Sequence, residues 1–195
     1  MADPNTARLT TPLEGTGHRP WDPTAAIAAP LALHATTVSP QWVDYNGHMS
    51  ESCYLLVFGD NSDAFFRYIG IDEDYRDKGG HSLYTVETHL YNLREASLGE
   101  PLRLTLQLLD LDEKRLHLFH AMHHGESGEL LATAEQMLVH VDMAQGRSAA
   151  MPEALVQRVR AIRAAHADLP MPLQVGHRIG IRHKAAQGFE RPHAL

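Results

Sequence analysis

The sequence predicts an α+β fold, with one long helix laid against a curved antiparallel sheet. Three observations predict it. From Ser50 to Tyr68 and on to Ile69, apolar residues recur at three- and four-residue steps: Tyr54, Leu55, Phe58, Phe65, Phe66 and Ile69. Leu102, Leu104, Leu106 and Leu108 alternate with Arg103, Thr105 and Gln107, the period of two of a strand with one buried face. Between residues 81 and 143, strand-like runs follow one another through short turns, and strands joined this way pair antiparallel.

Residues 1–30 are rich in Pro, Gly, Thr and Ala without a period, which predicts an extended or partly disordered arm. Leu31–Val38 reads as a first strand, ended by Ser39-Pro40. The helix follows a short loop, with Ser50 as its expected N-cap and Gly70 as its stop. Its broad apolar face calls for burial against a sheet. Asp72–Gly80 reads as a polar turn, and His81–Glu95 as the next strand, with Leu83, Tyr84, Thr85, Val86 and Tyr91.

After the alternating leucines, Asp110–Lys114 reads as a hairpin turn, Arg115–His124 as a strand and Gly125–Gly128 as another turn. Glu129–Met143 closes the series, with Leu131, Thr133, Glu135, Met137, Val139 and Val141 on one face. Pro152 opens a helix through about His166. The tail from Pro170 carries Arg178, Arg182, Lys184 and Arg191 without a strong period. Three units follow: an arm over 1–30, a domain over 31–145, and a C-terminal helix and tail over 146–195.

Composition narrows the function. The 195 residues suffice for one domain with a substantial core. A net charge of −7 argues against a general nucleic-acid binder, which needs a basic face. One cysteine, Cys53, allows no intrachain disulfide and points to a reducing compartment. The first residues lack a basic-then-apolar signal pattern, and no apolar run is long enough for a bilayer. The expectation is a cytoplasmic protein with no membrane partner.

The stretch Trp42-Val43-Asp44-Tyr45-Asn46-Gly47-His48-Met49-Ser50-Glu51 carries the chemistry. Asp44 stands three residues before Gly47-His48, and the loop runs straight into the long helix. A helix start offers unpaired backbone N–H groups and a positive dipole end, both suited to a developing oxyanion. A carboxylate beside it can attack a carbonyl or activate a water. The same Asp44 also reads as a turn acid that binds backbone N–H groups.

This order of elements, with Asp44-x-x-Gly47-His48-Met49 at the helix entry, resembles the hotdog-fold acyl-CoA thioesterases of the 4-hydroxybenzoyl-CoA thioesterase type. The resemblance covers about Leu31 to Met143. That family commonly has Asp-x-x-Gly-His-Val-Asn-Asn followed by an aromatic. Here Met49 replaces Val, Ser50-Glu51 replaces Asn-Asn, and Tyr54 supplies the aromatic. Val57-Phe58-Gly59-Asp60 and Asp63-Ala64-Phe65 add a closer similarity to the betainyl-CoA thioesterases of carnitine catabolism, found alone or fused to carnitine dehydrogenase.

The resemblance implies a hotdog fold and hydrolysis of an acyl-CoA to free acid and CoA, with betainyl-CoA the leading substrate. It implies Asp44 as catalytic carboxylate and the backbone N–H near Glu51 as the group that polarises the thioester carbonyl. It also implies no cofactor, and self-association as a homodimer or a dimer of dimers. A hotdog hydratase or dehydratase, and a non-catalytic acyl-binding module, remain as alternatives.

Around that centre, Gly47 is expected to supply a positive φ, and His48 to orient the loop or face the substrate. Glu51 either favours a cationic acyl group or is a first-turn glutamate stabilised by the helix dipole. Trp42, Tyr45 and Tyr54 are candidate aromatic faces for the same cation, or core residues. Asp60, Asn61 and Asp63 mark an acyl pocket, a subunit interface or a solvated helix face. Arg94, Arg103 and Arg115 are candidate CoA phosphate contacts. Alternation sets His117 and His123 on one strand face and His120 and His124 on the other, with no cysteine or paired acid to support a metal site.

Overall fold

The alternating leucines form the centre of β3 (Pro101–Leu111), where Leu102, Leu104, Leu106 and Leu108 are at most 1% exposed. A computed structural model describes residues 11–17 and 21–181 of the chain. Arg182, Lys184 and Arg191 of the basic tail lie outside the described residues, as do residues 1–10 and 18–20.

The long helix is α1 (Glu51–Ile69), and it ends as expected at Gly70, whose φ of 92° lets the chain turn left-handed. Ahead of it come β1 (Leu31–Thr37) and a single 3-10 turn at Pro40–Trp42. The polar turn after α1 holds a short helix, α2 (Glu73–Asp77), because Asp72 caps it by accepting the Tyr75 N–H at 2.9 Å. Then follow β2 (His81–Asn92), β3, β4 (Arg115–His124), β5 (Leu130–Asp142), the two-residue β6 (Arg147–Ser148) and α3 (Glu153–Ala165).

The strands make one antiparallel sheet in the order β1-β3-β4-β5-β2, with β6 beside β5. Helix α1 packs against both edge strands, β1 and β2, as well as β3 and β5. In a flat sheet those edges would lie about 19 Å apart, four spacings of about 4.8 Å, wider than a helix of about 10–12 Å. The sheet must therefore curl around α1.

Two apolar clusters fill the space between them. One joins Phe65 and Ile69 to Leu106, Leu108, Leu118 and Leu138. The other joins Tyr54, Val57 and Phe58 to Leu102, Leu104, Met122 and Ala134. Burying each such leucine contributes about 2 kcal/mol. Helix α3 shares the first cluster through Leu155, Val159 and Ile162. Just beyond it, buried His166 accepts the Leu108 N–H at Nδ1 and donates from Nε2 to the Ala28 carbonyl. That one side chain ties α3, β3 and the arm together.

Several expectations are corrected. On β5 the face that carries Gln136 is the one toward α1. There Gln136 Oε1 accepts from Ser62 Oγ of α1 at 3.1 Å. The strand expected to run to Glu95 ends at Asn92, because Leu93 and Arg94 both donate their N–H groups to Leu131 O and the ladder stops. A solvated α1 face at Asp60 and Asn61 is excluded: they are 6% and 0% exposed. Asn61 Nδ2 donates to His120 Nδ1 at 2.9 Å, and Asp63 accepts from Thr11 Oγ1 of the arm at 2.6 Å. Burial lowers the His120 pKa to about 4, which keeps the ring neutral.

Residues 167–181 form a strap across the sheet face away from α1. Gln107 of β3 donates to Pro170 O at 3.4 Å, and Gly176 N–H donates to Glu135 Oε2 of β5 at 2.8 Å. At the far end the His177 ring meets Tyr91 of β2.

Candidate active site

The loop that leads into α1 is a built turn. Gly47 N–H donates to Asp44 O and Asp44 N–H to His48 O, both at 3.0 Å. Asp44 Oδ1 accepts the Asn46 N–H at 2.8 Å. Gly47 has the expected positive φ, 84°, and a Cβ there would meet nothing within 4 Å. The constraint on that position is therefore conformational rather than steric. Val43 bridges Met49 across the loop. His48 bridges Ser97, and Met49 N–H donates to Ala96 O at 2.7 Å. These bonds fasten the turn to the segment after β2.

The helix start is open. Ser50 occupies the N-cap position, yet its side chain makes no capping bond; its Oγ lies 3.4 Å from Ser52 Oγ. The capping role expected of Ser50 is thus not performed. Its backbone N–H instead donates to Trp42 O at 2.7 Å, which holds the entry angle. Among the described residues, nothing accepts the N–H groups of Glu51 or Ser52. Two donors at the positive end of a 19-residue helix stay available to a ligand.

Turn and helix start border one cleft of about 530 Å³. Asp44, His48, Glu51 and Tyr54 line it, so four residues singled out from the sequence come together there. Asn92, Leu93, Arg94 and Glu95 form the opposite wall. Tyr54 fastens that wall by donating its OH to Arg94 O at 3.2 Å. Burial, more than the charges of Glu95 and Glu100, raises the Tyr54 phenol pKa, so it stays a neutral donor. His48 Nδ1 stands 3.5 Å from Glu95 Oε2, an ion pair when the ring is protonated.

The other named residues lie elsewhere. Tyr45 is 97% exposed, and Trp42 packs against the second apolar cluster; neither lines the cleft. Gly47 shapes the turn without lining the cleft. Arg94 lines it but donates to Glu129 Oε1 at 2.9 Å. Arg115 pairs with Asp112, and Arg103 is an exposed residue of β3. His117 Nε2 bonds Glu135 Oε1 at 2.8 Å, on the face away from buried His120, as alternation expected. Among the described residues, no group of three His, Cys, Asp or Glu is set to hold a metal ion.

The sequence named Arg94 only as a candidate CoA phosphate contact and gave no sign of Asn92, Leu93 and Glu95, the rest of that wall. It placed them inside a strand, more than 40 residues from Asp44. Only the docking of His48 and Met49 on Ala96 and Ser97 brings the wall across, and no local pattern announces such a contact.

Residues 38–159 match the thioesterase-like superfamily. The chain belongs to that superfamily. A Pseudomonas aeruginosa protein named betainyl-CoA thioesterase is 46% identical over 151 residues, which is 77% of this chain and 95% of that one. A Rhizobium protein named L-carnitine dehydrogenase/betainyl-CoA thioesterase is 52% identical over 152 residues. That match covers 77% of this chain, but the chain spans only 30% of the Rhizobium protein's length. A Staphylococcus aureus protein solved in complex with CoA superposes with a TM-score of 0.74 at 31% identity, covering 81% of this chain and 100% of the other. The sheet curled around α1 is the hotdog fold of this thioesterase-like superfamily.

Proposed function

We propose that the protein hydrolyses an acyl-CoA thioester to the free acid and CoA, and that betainyl-CoA is its substrate. One observation carries the chemistry. Asp44 and Glu51, the first residue of α1 with an uncapped N–H, border the same cleft, and the uncapped Ser52 N–H is next along the helix start. The N–H groups and the helix dipole stabilise the oxyanion that forms as the thioester carbonyl is attacked. Asp44 supplies the attack in one of two ways. As a base it takes a proton from water, whose oxygen adds to the carbonyl carbon. As a nucleophile it forms a mixed anhydride that water then opens. In both routes the C–S bond breaks, the electron pair leaves on sulfur, and the thiolate takes up a proton. A thiolate leaves readily, so no second acid is required.

The acyl group follows from charge and kinship. Glu51 and Glu95 join Asp44 around the cleft, and a trimethylammonio-acetyl group carries a fixed positive charge. The relatives at 46% and 52% identity bear the matching name. Self-association through β2 fits the same reading. β2 is an edge strand, and it exposes Tyr84, Val86 and Tyr91 beside unpaired backbone groups. Two copies joined along it would form a homodimer, with each cleft close to the joint. A cytoplasmic setting suits a CoA substrate and a single thiol. Among the described residues, no helix is long and apolar enough to cross a membrane.

A thiol-release screen over betainyl-CoA, aromatic acyl-CoA and straight-chain acyl-CoA tests the reading. Betainyl-CoA should give the highest kcat/KM. A higher value for a neutral acyl group would remove the substrate assignment, and no hydrolysis of any of them would remove the chemistry.

A further inference from the structure

An acyl-CoA carries its phosphates at the far end of a long pantetheine arm. The acid-lined cleft offers them nothing, because Arg94, its one arginine among the described residues, is held by Glu129. A second cleft of about 620 Å³ adjoins the first and shares Asn92 with it. It forms where the strap crosses the end of β2. His89 and Tyr91 come from the strand, and His177 and Arg178 from the strap. The Tyr91 and His177 rings meet edge to face with centroids 6.1 Å apart. The Gly176 N–H bond to Glu135 Oε2 fixes the strap just before these two residues.

Charge favours this place, where an exposed arginine without an ion pair among the described residues lines a cleft beside two histidines. The chain carries a net −7, so most of its surface repels a polyanion. Arg178 is exposed and makes no ion pair with any described residue, unlike Arg67, Arg76, Arg94 and Arg115. A guanidinium matches phosphate oxygens two at a time, and imidazole N–H groups add donors beside it. An aromatic ring in the same cleft offers a stacking face to a purine.

We propose that the strap and the end of β2 form a binding site for a phosphorylated nucleotide. Arg178, His89 and His177 hold its phosphates and Tyr91 meets its base. The assignment of this nucleotide to the end of an acyl-CoA rests on the thioesterase reading above, with the acyl end reaching past Asn92 to Asp44.

Calorimetric titration of the full chain with adenosine 3′,5′-bisphosphate tests the site without any hydrolysis. The protein should bind it, Arg178→Ala should weaken Kd about tenfold, and Arg178→Lys should restore part of the loss. A second measurement compares an acyl-CoA with the same acyl group on unphosphorylated pantetheine. In Arg178→Ala the ratio of the two KM values, CoA over pantetheine, should rise about tenfold. Absence of binding by the unaltered protein, or equal Kd in Arg178→Ala, overturns the site. An unchanged KM ratio overturns its place in the substrate path. Bisphosphate binding that depends on Arg178 without hydrolysis of any acyl-CoA leaves the site standing and removes the thioesterase reading instead.

Discussion

Replacing Asp44 with Asn separates the two roles the residue can play. In the structure Asp44 Oδ1 accepts the Asn46 N–H at 2.8 Å, so the carboxylate builds the turn it sits in. Asparagine keeps an oxygen at that place and preserves the turn. It loses the charge, the nucleophilic oxygen and the base. Removal of a general base or nucleophile typically costs a factor of about 10² to 10⁴, or roughly 3–5 kcal/mol of barrier. Stability should change by less than about 0.5 kcal/mol, as for other surface changes that keep their contacts. Asp44→Ala should lose the same activity and also the turn hydrogen bond, about 0.5–1.5 kcal/mol. For a chain of this size that lowers Tm by about 1–6 °C. Thiol release under single-turnover conditions, with a thermal melt of each variant, gives both quantities. The reasoning fails if Asp44→Asn keeps activity within about tenfold of the unaltered protein while Asp44→Ala loses both activity and stability. Asp44 would then be a turn residue alone.

Other outcomes follow from neighbouring features. Gly47→Ala should lower stability by about 1–2 kcal/mol, because its φ of 84° strains any Cβ although nothing stands within 4 Å; a melt unchanged from the parent would mean the turn relaxes. Glu51→Gln and Glu95→Gln should each raise KM for a cationic acyl-CoA more than for a neutral one, and equal shifts would take the acids out of substrate choice. Buried Asp60 has a pKa raised to about 6, first by burial and then by the Asp63 charge. A raised carboxyl pKa contributes stability that is fully present below the ordinary 3.8 and lost as pH rises through about 6. Asp60→Asn should therefore stabilise the protein at pH 7 by about 1–3 kcal/mol in urea unfolding. Neutral His120, with its pKa lowered to about 4, acts in the opposite sense, so stability in the variant should fall more steeply as pH drops from 6.5 toward 4. A variant no more stable at pH 7 than the parent would show that Asp60 is solvated in the folded chain. Tyr84→Lys with Val86→Lys should abolish self-association in sedimentation; a dimer that survives both charges is not joined along β2.

Local physics made part of this protein legible from its sequence. Helix α1 showed because its core contacts repeat every turn, and β3 because one face is buried and the other carries Arg103 and Gln107. The turn at Asp44–Gly47 showed because its bonds span only a few residues. Asp44, His48, Glu51 and Tyr54 could be named together because one turn and the first helical coils place them. β5 shows where alternation stops helping. Both of its faces hold apolar and polar residues, with Leu131, Thr133 and Met137 on one and Ala134, Gln136 and Leu138 on the other. Only the contact with α1 decides which is inward. Ser50 has the right residue type for a cap, but its side chain makes no capping bond, and the helix end stays open.

Strand order was beyond sequence reasoning, because β2 pairs with β5 and β1 with β3 across long separations that no local pattern records. The consequence is functional. The sequence alone supplied an acid at a helix start. The tertiary structure set Glu95 across from it and laid Arg178 beside the same β2 strand end. Covalent neighbours fix a turn; pairing between distant strands decides what the turn faces.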